Sequence, residues 1–439
     1  MGERKERGRG ERKERRGLGL TEQERSWVMY DVGNSAFVLM LSTIIPIFFY
    51  AIAEGDLDEV TYLAYWGYAA SAATLICAVL GPVLGTYSDR SGWKVRMFTA
   101  VLGVGAIACA LLGFIQSWLA FLVVLVVARL GLSLSLVFYD SMLVDVTDPE
   151  RSDKVSAHGY AWGYIGSCVP FVVCLVLILF CDSFGMTMSQ AMMVSMLVTA
   201  AWWVAASIPL IKGYRQRHSI PREEAKGALR TLYQSIKNAR SEKKAFLFLV
   251  AFFFYIDGVY TVIEEATAYG TAMGLDTYGL LVALLVTQIV AFPCTIVFGR
   301  LTAKYDTAKL IGLCIVAYVG IVFFASYMSN ITEFFVLAIC VGVFQGGIQA
   351  MSRSYFARIV PPERSGEFFG LMDIFGKGAT FMGTMTVSTV TLLTGSSSIG
   401  VLSIAAFLVI GLVLFVMTMR TPSSRDAEGA GATEEAQPA

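Results

Sequence analysis

The residues of this chain that could do chemistry are ionisable groups set singly into long apolar stretches. Asp257 stands in one such stretch, with Tyr260, Glu264 and Thr267 following at three- and four-residue steps, so a helix puts all four on one face. Arg129 and Asp140 lie eleven residues apart, close to three helical turns, with Ser133 between them on the same side. Asp31, Asn34, Ser35 and Ser42 line one side of another stretch; Gln345, Gln349 and Arg353 line one side of a fourth. Asp373 and Lys377 form an i, i+4 pair, and Gln288 sits deep in a further run. Carboxylates so placed can carry a proton or a cation, and a guanidinium can grip a solute carboxylate through paired hydrogen bonds. Structural pairing that holds helices together is the other use of such groups.

The material for catalysis is thin. The only histidines, His158 and His218, fall at expected loop boundaries. The eight cysteines (Cys77, Cys109, Cys168, Cys174, Cys181, Cys294, Cys314 and Cys340) form no Cys-x-x-Cys pair and have no histidine at ligand spacing. No metal site, cofactor or enzymatic centre is therefore expected. They read as small buried hydrophobes.

Hydrophobic residues make up 56% of the 439 and charged residues only 15%, where soluble proteins carry roughly a quarter charged. Stretches of about 20 apolar residues, enough to cross a hydrocarbon core of ~30 Å as helix, alternate with short polar joints. Twelve spans are expected, at 27–53, 61–87, 97–116, 118–144, 158–181, 188–211, 245–273, 278–301, 310–329, 334–355, 368–393 and 399–419. Every second joint is basic: Arg90/Lys94/Arg96, Arg151/Lys154, the segment 212–244, Arg300/Lys304/Lys309 and Arg358/Arg364. The opposite joints contain no Lys or Arg, so both termini and the long segment are expected in the cytoplasm. Residues 1–25, with the unit Gly-Glu-Arg-Lys-Glu-Arg occurring twice, and residues 421–439 read as disordered tails. Segment 212–244 divides the spans into bundles at 26–211 and 245–420. Its Ala225, Leu229, Leu232, Tyr233 and Ile236 fit an amphipathic helix on the membrane surface, or a solvated linker helix. The net charge of zero and the lack of a basic, aromatic-interleaved surface point away from nucleic acid. Solute and lipid are the expected partners, and the chain is expected to be a monomer.

An internal repeat supports two matching halves. Gly85-Thr-Tyr-Ser-Asp89-Arg90-Ser-Gly92-Trp-Lys94 follows the second span, and Gly299-Arg-Leu-Thr-Ala303-Lys304 follows the eighth, 214 positions later. Pro149-Glu150-Arg151-Ser152 and Pro362-Glu363-Arg364-Ser365 are 213 apart. Tandem halves with a path between them fit this pattern, with spans one, four, seven and ten lining the path. The element at Gly85–Lys94 resembles the signature loop of the major facilitator superfamily. The resemblance implies a twelve-helix fold of two pseudo-symmetric six-helix bundles, and a cytoplasmic latch made by Gly85, Asp89, Arg90, Gly92 and Lys94. Arg90 and Lys94 are expected to anchor at the membrane surface. Ala303 stands where the second copy should carry its acid, so a latch there is expected to be weak or absent.

Beyond the superfamily, Tyr30-Asp31-Val-Gly-Asn34-Ser35-Ala36-Phe37 resembles the signature of the vacuole-effluxer-like family. That family includes the yeast autophagy-linked vacuolar amino-acid exporter and many bacterial relatives. Ser133–Asp140, Gly159–Gly166, Asp257-Gly258-Val259, Gln288–Pro293, Gln345–Ser354 and Glu367–Gly370 are similar to further family blocks. Three positions depart from the pattern: Asp140 where Asn is common, Ile256 where Arg commonly precedes the acid, and Ala303. The resemblance implies a secondary transporter, working by alternating access in a bacterial plasma membrane, that exports amino acids or similar small polar metabolites. In this reading Asp257 and Glu264 are the candidate proton-coupling groups and Arg129 the candidate anchor for a solute carboxylate. Asp31 and Arg353, close to the cytoplasmic face, are candidate gating groups. A multidrug-type exporter and a non-transporting membrane sensor are the alternative readings. Aromatic clusters at Tyr62/Tyr65/Trp66/Tyr68 and Tyr160/Trp162/Tyr164 are expected to be packing and interface belts.

Overall fold

A computed structural model describes residues 19–53, 55–57, 59–220, 237, 240–272, 275 and 277–422. Residues 1–18 and 423–439 of the expected tails and the core of the expected linker helix lie outside these residues, as does the side chain of Glu264. Residues 22–25, expected in the disordered tail, instead form the capped first turn of span 1, because Thr21 and Glu24 satisfy its open amides.

Long apolar runs such as these satisfy their backbone in lipid as helix, and helix is what forms. Span 1 is broken into Glu22–Ser42 and Ile44–Ala53. Span 2 is Glu59–Ser88, span 3 Lys94–Leu112, span 4 Trp118–Ser141 with a short turn at Leu143–Val146, span 5 Ser152–Leu179 and span 6 Met188–Gly213. Span 7 is Lys243–Ala272, span 8 Thr277–Leu301, span 9 Thr307–Tyr327, span 10 Ile331–Ile359, span 11 Ser365–Thr394 and span 12 Ser397–Arg420. Among the described residues ten of these helices are long and apolar enough to cross a bilayer alone, and the broken first span makes eleven. Span 11, which carries Glu367, Asp373 and Lys377, completes the twelve columns.

The break in span 1 departs from the single span expected at 27–53. Pro46 has no N–H to return to the carbonyl four residues back. The hydroxyls of Ser42 and Thr43 turn back onto Val38 O and Leu39 O, at 3.2 and 2.6 Å, and the two pieces meet at 42°. Several helices also run past their apolar windows. His158, expected at a boundary, lies inside span 5, which starts at Ser152. The apolar window finds the membrane-buried part of a helix, not its polar turns beyond.

Spans 1, 5 and 6 pack together, and span 3 packs on spans 4 and 6; spans 7, 11 and 12, and span 9 on spans 10 and 12, form the corresponding groups. Between the two sets, span 2 meets span 11, span 5 meets spans 8 and 10, and span 4 meets span 11. Small residues let backbones touch, the usual source of helix association in lipid. A Cβ on Gly131 would lie 2.3 Å from Gly105 Cα, and one on Gly411 would lie 2.6 Å from the Tyr255 amide. The two Pro-Glu-Arg units of the repeat, Pro149–Arg151 and Pro362–Arg364, both form a single 3-10 turn leading into spans 5 and 11.

The entry to span 1 is held by Glu24, 1% exposed. It closes a capping box with Thr21, accepts from Thr147 Oγ1 at 2.7 Å and pairs with Arg151 at 2.7 Å. Glu24→Gln removes the charge and turns an amide toward groups that donate. We expect a loss of about 1–3 kcal/mol, read as a lower Tm of the detergent-purified protein. An unchanged Tm would show that the N-terminal end is not tied down by Glu24.

Candidate functional site

The described basic joints follow every second helix and so fall on one side of the helix columns, and charged links between the two sets of helices gather there. The largest is built on Arg353 of span 10, 3% exposed. Its Nη1 and Nη2 each lie 3.3 Å from Asp31 Oδ2, and Nη1 is 3.0 Å from Asp140 Oδ1. Nε donates to Ser156 Oγ at 2.9 Å and Nη2 to the Ser156 carbonyl at 3.1 Å. The guanidinium is stacked over Trp27 at 4.6 Å and Tyr160 at 4.3 Å, with Tyr139 at 5.4 Å. Asp31 is steadied by the Tyr139 hydroxyl at 2.7 Å and by Asn34 Nδ2 at 3.3 Å. One side chain of the second half thus engages spans 1, 4 and 5 of the first. Only a planar, forked cation can do this, since ammonium lacks both the fork and the stacking face. Tyr160, expected in an aromatic belt, belongs instead to this cluster, and so do Tyr139 and Ser156, which helical periodicity did not single out.

The signature loop makes the second link. Asp89 accepts from the Gly366 and Glu367 amides at 2.8 and 3.0 Å, capping the start of span 11 across the interface. The dipole and open amides of a helix start favour a carboxylate there. Gly85 allows the approach: a Cβ at this position would sit 2.2 Å from Gly366 O. Lys94, expected to anchor at the membrane surface, is instead completely buried. It lies 3.2 Å from Asp89 and donates to Ser365 Oγ at 2.8 Å, with Asp145 at 3.8 Å. Two acids draw it inward, and Asp145 was not evident from spacing. Arg90 lies over the Tyr87 ring at 4.6 Å. Gly92, with φ +73, turns its amide to Gln216 Oε1 at 3.0 Å. Residues 214–220, just past span 6, strap the loop from outside: the Ile220 amide donates to Asp89 O at 2.9 Å and Tyr214 to Asp145. Burial pushes the Asp89 carboxyl up to about 6, against the pull of Lys94 and the two amides. An exposed Asp titrates near 3.9. The engaged loop therefore holds a proton more tightly than the free one, and this contribution to closure fades as pH rises through about 6.

The pseudo-equivalent interface does carry an acid, from the other partner. Asp153, at the start of span 5, accepts from Arg358 Nη1 at 2.6 Å, Thr307 Oγ1 at 2.5 Å and Ser354 Oγ. Asp306, near Ala303, caps its own helix through the Ala308 amide at 2.7 Å. Sequence reasoning missed Asp153; its position two residues after the repeated Pro-Glu-Arg unit, in the first turn of span 5, was the available signal.

The remaining residues lie deeper. Asp373 and Lys377 pair within span 11, and both reach Cys77 of span 2, at 3.4 and 3.3 Å. Arg129 is half-buried with its guanidinium 5.5 Å from the Trp66 ring centre. Asp257 is fully buried, accepting from the Gly383 amide at 3.0 Å and Thr261 Oγ1 at 3.3 Å. It is thereby set into the contact of span 7 with span 11, away from the Arg353 cluster. Ser133, Tyr260, Gln288 and Gln349 are half-buried. Gln345 is 2% exposed, and its Nε2, like the Tyr164 hydroxyl, has no hydrogen-bond partner among the described residues. Tyr164 lies beside Gly346, where an added Cβ would be 2.8 Å from its ring. These polar groups sit above the Arg353 cluster.

The arrangement recurs in known proteins. Residues 21–428 match the family described as "Vacuole effluxer Atg22 like". The chain is 40% identical to the uncharacterized MFS-type transporter YxiO of Bacillus subtilis, over 92% of this chain and 96% of that protein. It is 24% identical to autophagy-related protein 22 of Saccharomyces cerevisiae, over 56% of this chain and 53% of that protein. The fold is that of the human organic anion transporter MFSD10, with a TM-score of 0.70 at 13% identity, covering 90% of this chain and 99% of that one. With twelve helical columns and this match over nearly its whole length, the chain is a multi-pass membrane transporter of the major facilitator type and belongs to the vacuole-effluxer Atg22-like family.

Proposed function

We propose that the protein is a secondary transporter that exports amino acids or similar small polar metabolites by alternating access. Bundles 26–211 and 245–420 rock against each other around a central site. The observation that carries this reading is the Arg353 cluster. It joins the two halves at the basic face by charged contacts that can break and reform, while the polar residues above it (Gln345, Gln349, Tyr164, Tyr260) stay half-buried or lack partners. The positive-inside rule turns the basic face, and both termini, to the cytoplasm. The structure is then the conformer closed on the cytoplasmic side. Arg129, with one face against Trp66, is the candidate anchor for a solute carboxylate. Asp257, packed against Gly383, serves the span 7–span 11 contact better than it serves a path.

The test is counterflow in proteoliposomes across an amino-acid panel, with and without a pH gradient. At least one panel member should exchange above empty vesicles, and Arg129→Gln should weaken that exchange for carboxylate-bearing solutes by about tenfold or more. If no member exchanges while the reconstituted protein remains monodisperse, the amino-acid reading fails.

A further inference from the structure

Arg353 faces two acids and can neutralise one. Its Nη1 touches Asp31 and Asp140 alike, at 3.3 and 3.0 Å. Among the described residues no other cation is paired with either carboxylate. With both ionised, the buried cluster keeps one uncompensated negative charge. Such a charge is costly away from water, and two carboxylates at one site resist ionising together.

The two acids are not equivalent. Asp31 has a side chain 7% exposed and accepts from Tyr139, Asn34 and both terminal nitrogens of Arg353. Asp140 accepts from Arg353 alone among the described residues, and its side chain is 27% exposed. Hydrogen bonds to the charged form keep a carboxylate charged. Asp31 has them and Asp140 does not. We propose that Asp140 is a proton-binding group of the transport cycle, taking up a proton while Asp31 stays ionised and holds Arg353. This rests on the alternating-access reading above.

The groups around the pair leave that role to Asp140. Span 1 contributes Tyr30 and Asn34, span 4 Tyr139, span 5 Ser156, Tyr160 and Tyr164, and span 7 Tyr260. None of these carries a charge at working pH. A further charge near Asp140 is Asp373 of span 11, which Lys377 already pairs. A proton on Asp140 removes the uncompensated charge of the closed cluster and leaves Arg353 paired with Asp31, so it stabilises the link between the halves. By linkage, protonation of Asp140 and closure of the basic face favour each other.

The test reads the opening directly and needs no solute. Spin labels go on cysteines replacing Ser91 and Tyr305, which are exposed on the basic face in opposite halves, with the eight native cysteines replaced. Distances are measured on the full chain by pulsed electron resonance. The long-distance share should fall about threefold or more between about pH 8 and about pH 5.5. Asp140→Asn should give the low-pH distribution at both pH values. Asp89 contributes with the same sign, favouring closure as pH falls, so in Asp89→Asn the response that remains is the one owed to Asp140. The proposal is overturned if the distances do not respond to pH in Asp89→Asn, or if Asp140→Asn keeps the full response. Arg353→Gln separates the two levels: it should lengthen the distances at both pH values. If it lengthens them while the pH response is absent, the proton site fails and alternating access stands. If it leaves them unchanged, alternating access through this cluster fails and the proton site with it.

Discussion

Arg353→Gln should open the basic face of this protein. The variant leaves Asp31 and Asp140 facing each other across a site from which their cation has gone, and takes from Ser156 Oγ the donor it accepts from. Removing one partner of a buried pair typically costs about 3–5 kcal/mol, because the remaining charge has no compensation. The cluster joins two sets of helices and is not internal to one. Most of that cost therefore falls on the closed conformer and less on the fold. Each ~1.4 kcal/mol is a factor of ten, so the closed population should fall by about a hundredfold or more. A cysteine replacing Ala350, 1% exposed and bonded through its carbonyl to Ser156 at 2.7 Å, reports this. It should react with a membrane-impermeant maleimide from the basic side in the variant and stay protected in the parent. Arg353→Lys keeps the charge but loses the fork and the stack on Trp27 and Tyr160, and should fall between the two. Adding Asp31→Asn to Arg353→Gln removes the uncompensated charge and should recover part of the protection. If Arg353→Gln stays fully protected, the cluster does not hold the face shut.

Gly85→Leu should abolish transport without unfolding either half. The approach of spans 2 and 11 allows no side chain here, since even a Cβ would be 2.2 Å from Gly366 O. Backbone cannot give way as a side-chain tip can. The helices must part by an ångström or more, which breaks the Asp89 bonds to the Gly366 and Glu367 amides and the Lys94 bond to Ser365. Loss of those charge-assisted bonds, at about 1.5–3 kcal/mol each, leaves the latch unable to engage. Counterflow should drop to the level of empty vesicles while the protein still purifies as a monodisperse species. Gly103→Leu is the control: nothing lies within 4 Å of a Cβ there, and activity should be retained. Full counterflow from Gly85→Leu would show that closure of this interface is not part of the cycle.

How much of this was legible beforehand follows from what one helix can report about itself. The apolar lengths, the alternation of basic joints and the repeat at offsets of 213 and 214 identified twelve columns and the superfamily fold. These depend on local composition, which lipid reads segment by segment. The signature loop likewise announced Asp89 and Gly85, because a tight turn and a close backbone approach need those residue types wherever they occur. Lys94 was misjudged for the opposite reason: a lysine at a helix end looks like a surface anchor until its neighbours are known, and Asp145 is 51 residues away.

Which charge meets which was decided only by tertiary structure. Arg353 and Asp31 are separated by 322 positions, Asp153 and Arg358 by 205. Periodicity shows the face on which a side chain lies and is silent on the helix opposite it. Asp257 shared a polar face with Tyr260 as expected, yet that face turned to Gly383. The sequence alone determined that this chain crosses a membrane many times as two related halves. The packing of those halves determined that three side chains, one basic and two acidic, meet where the halves touch, because an inter-helix contact is a property of two surfaces and no single segment encodes both.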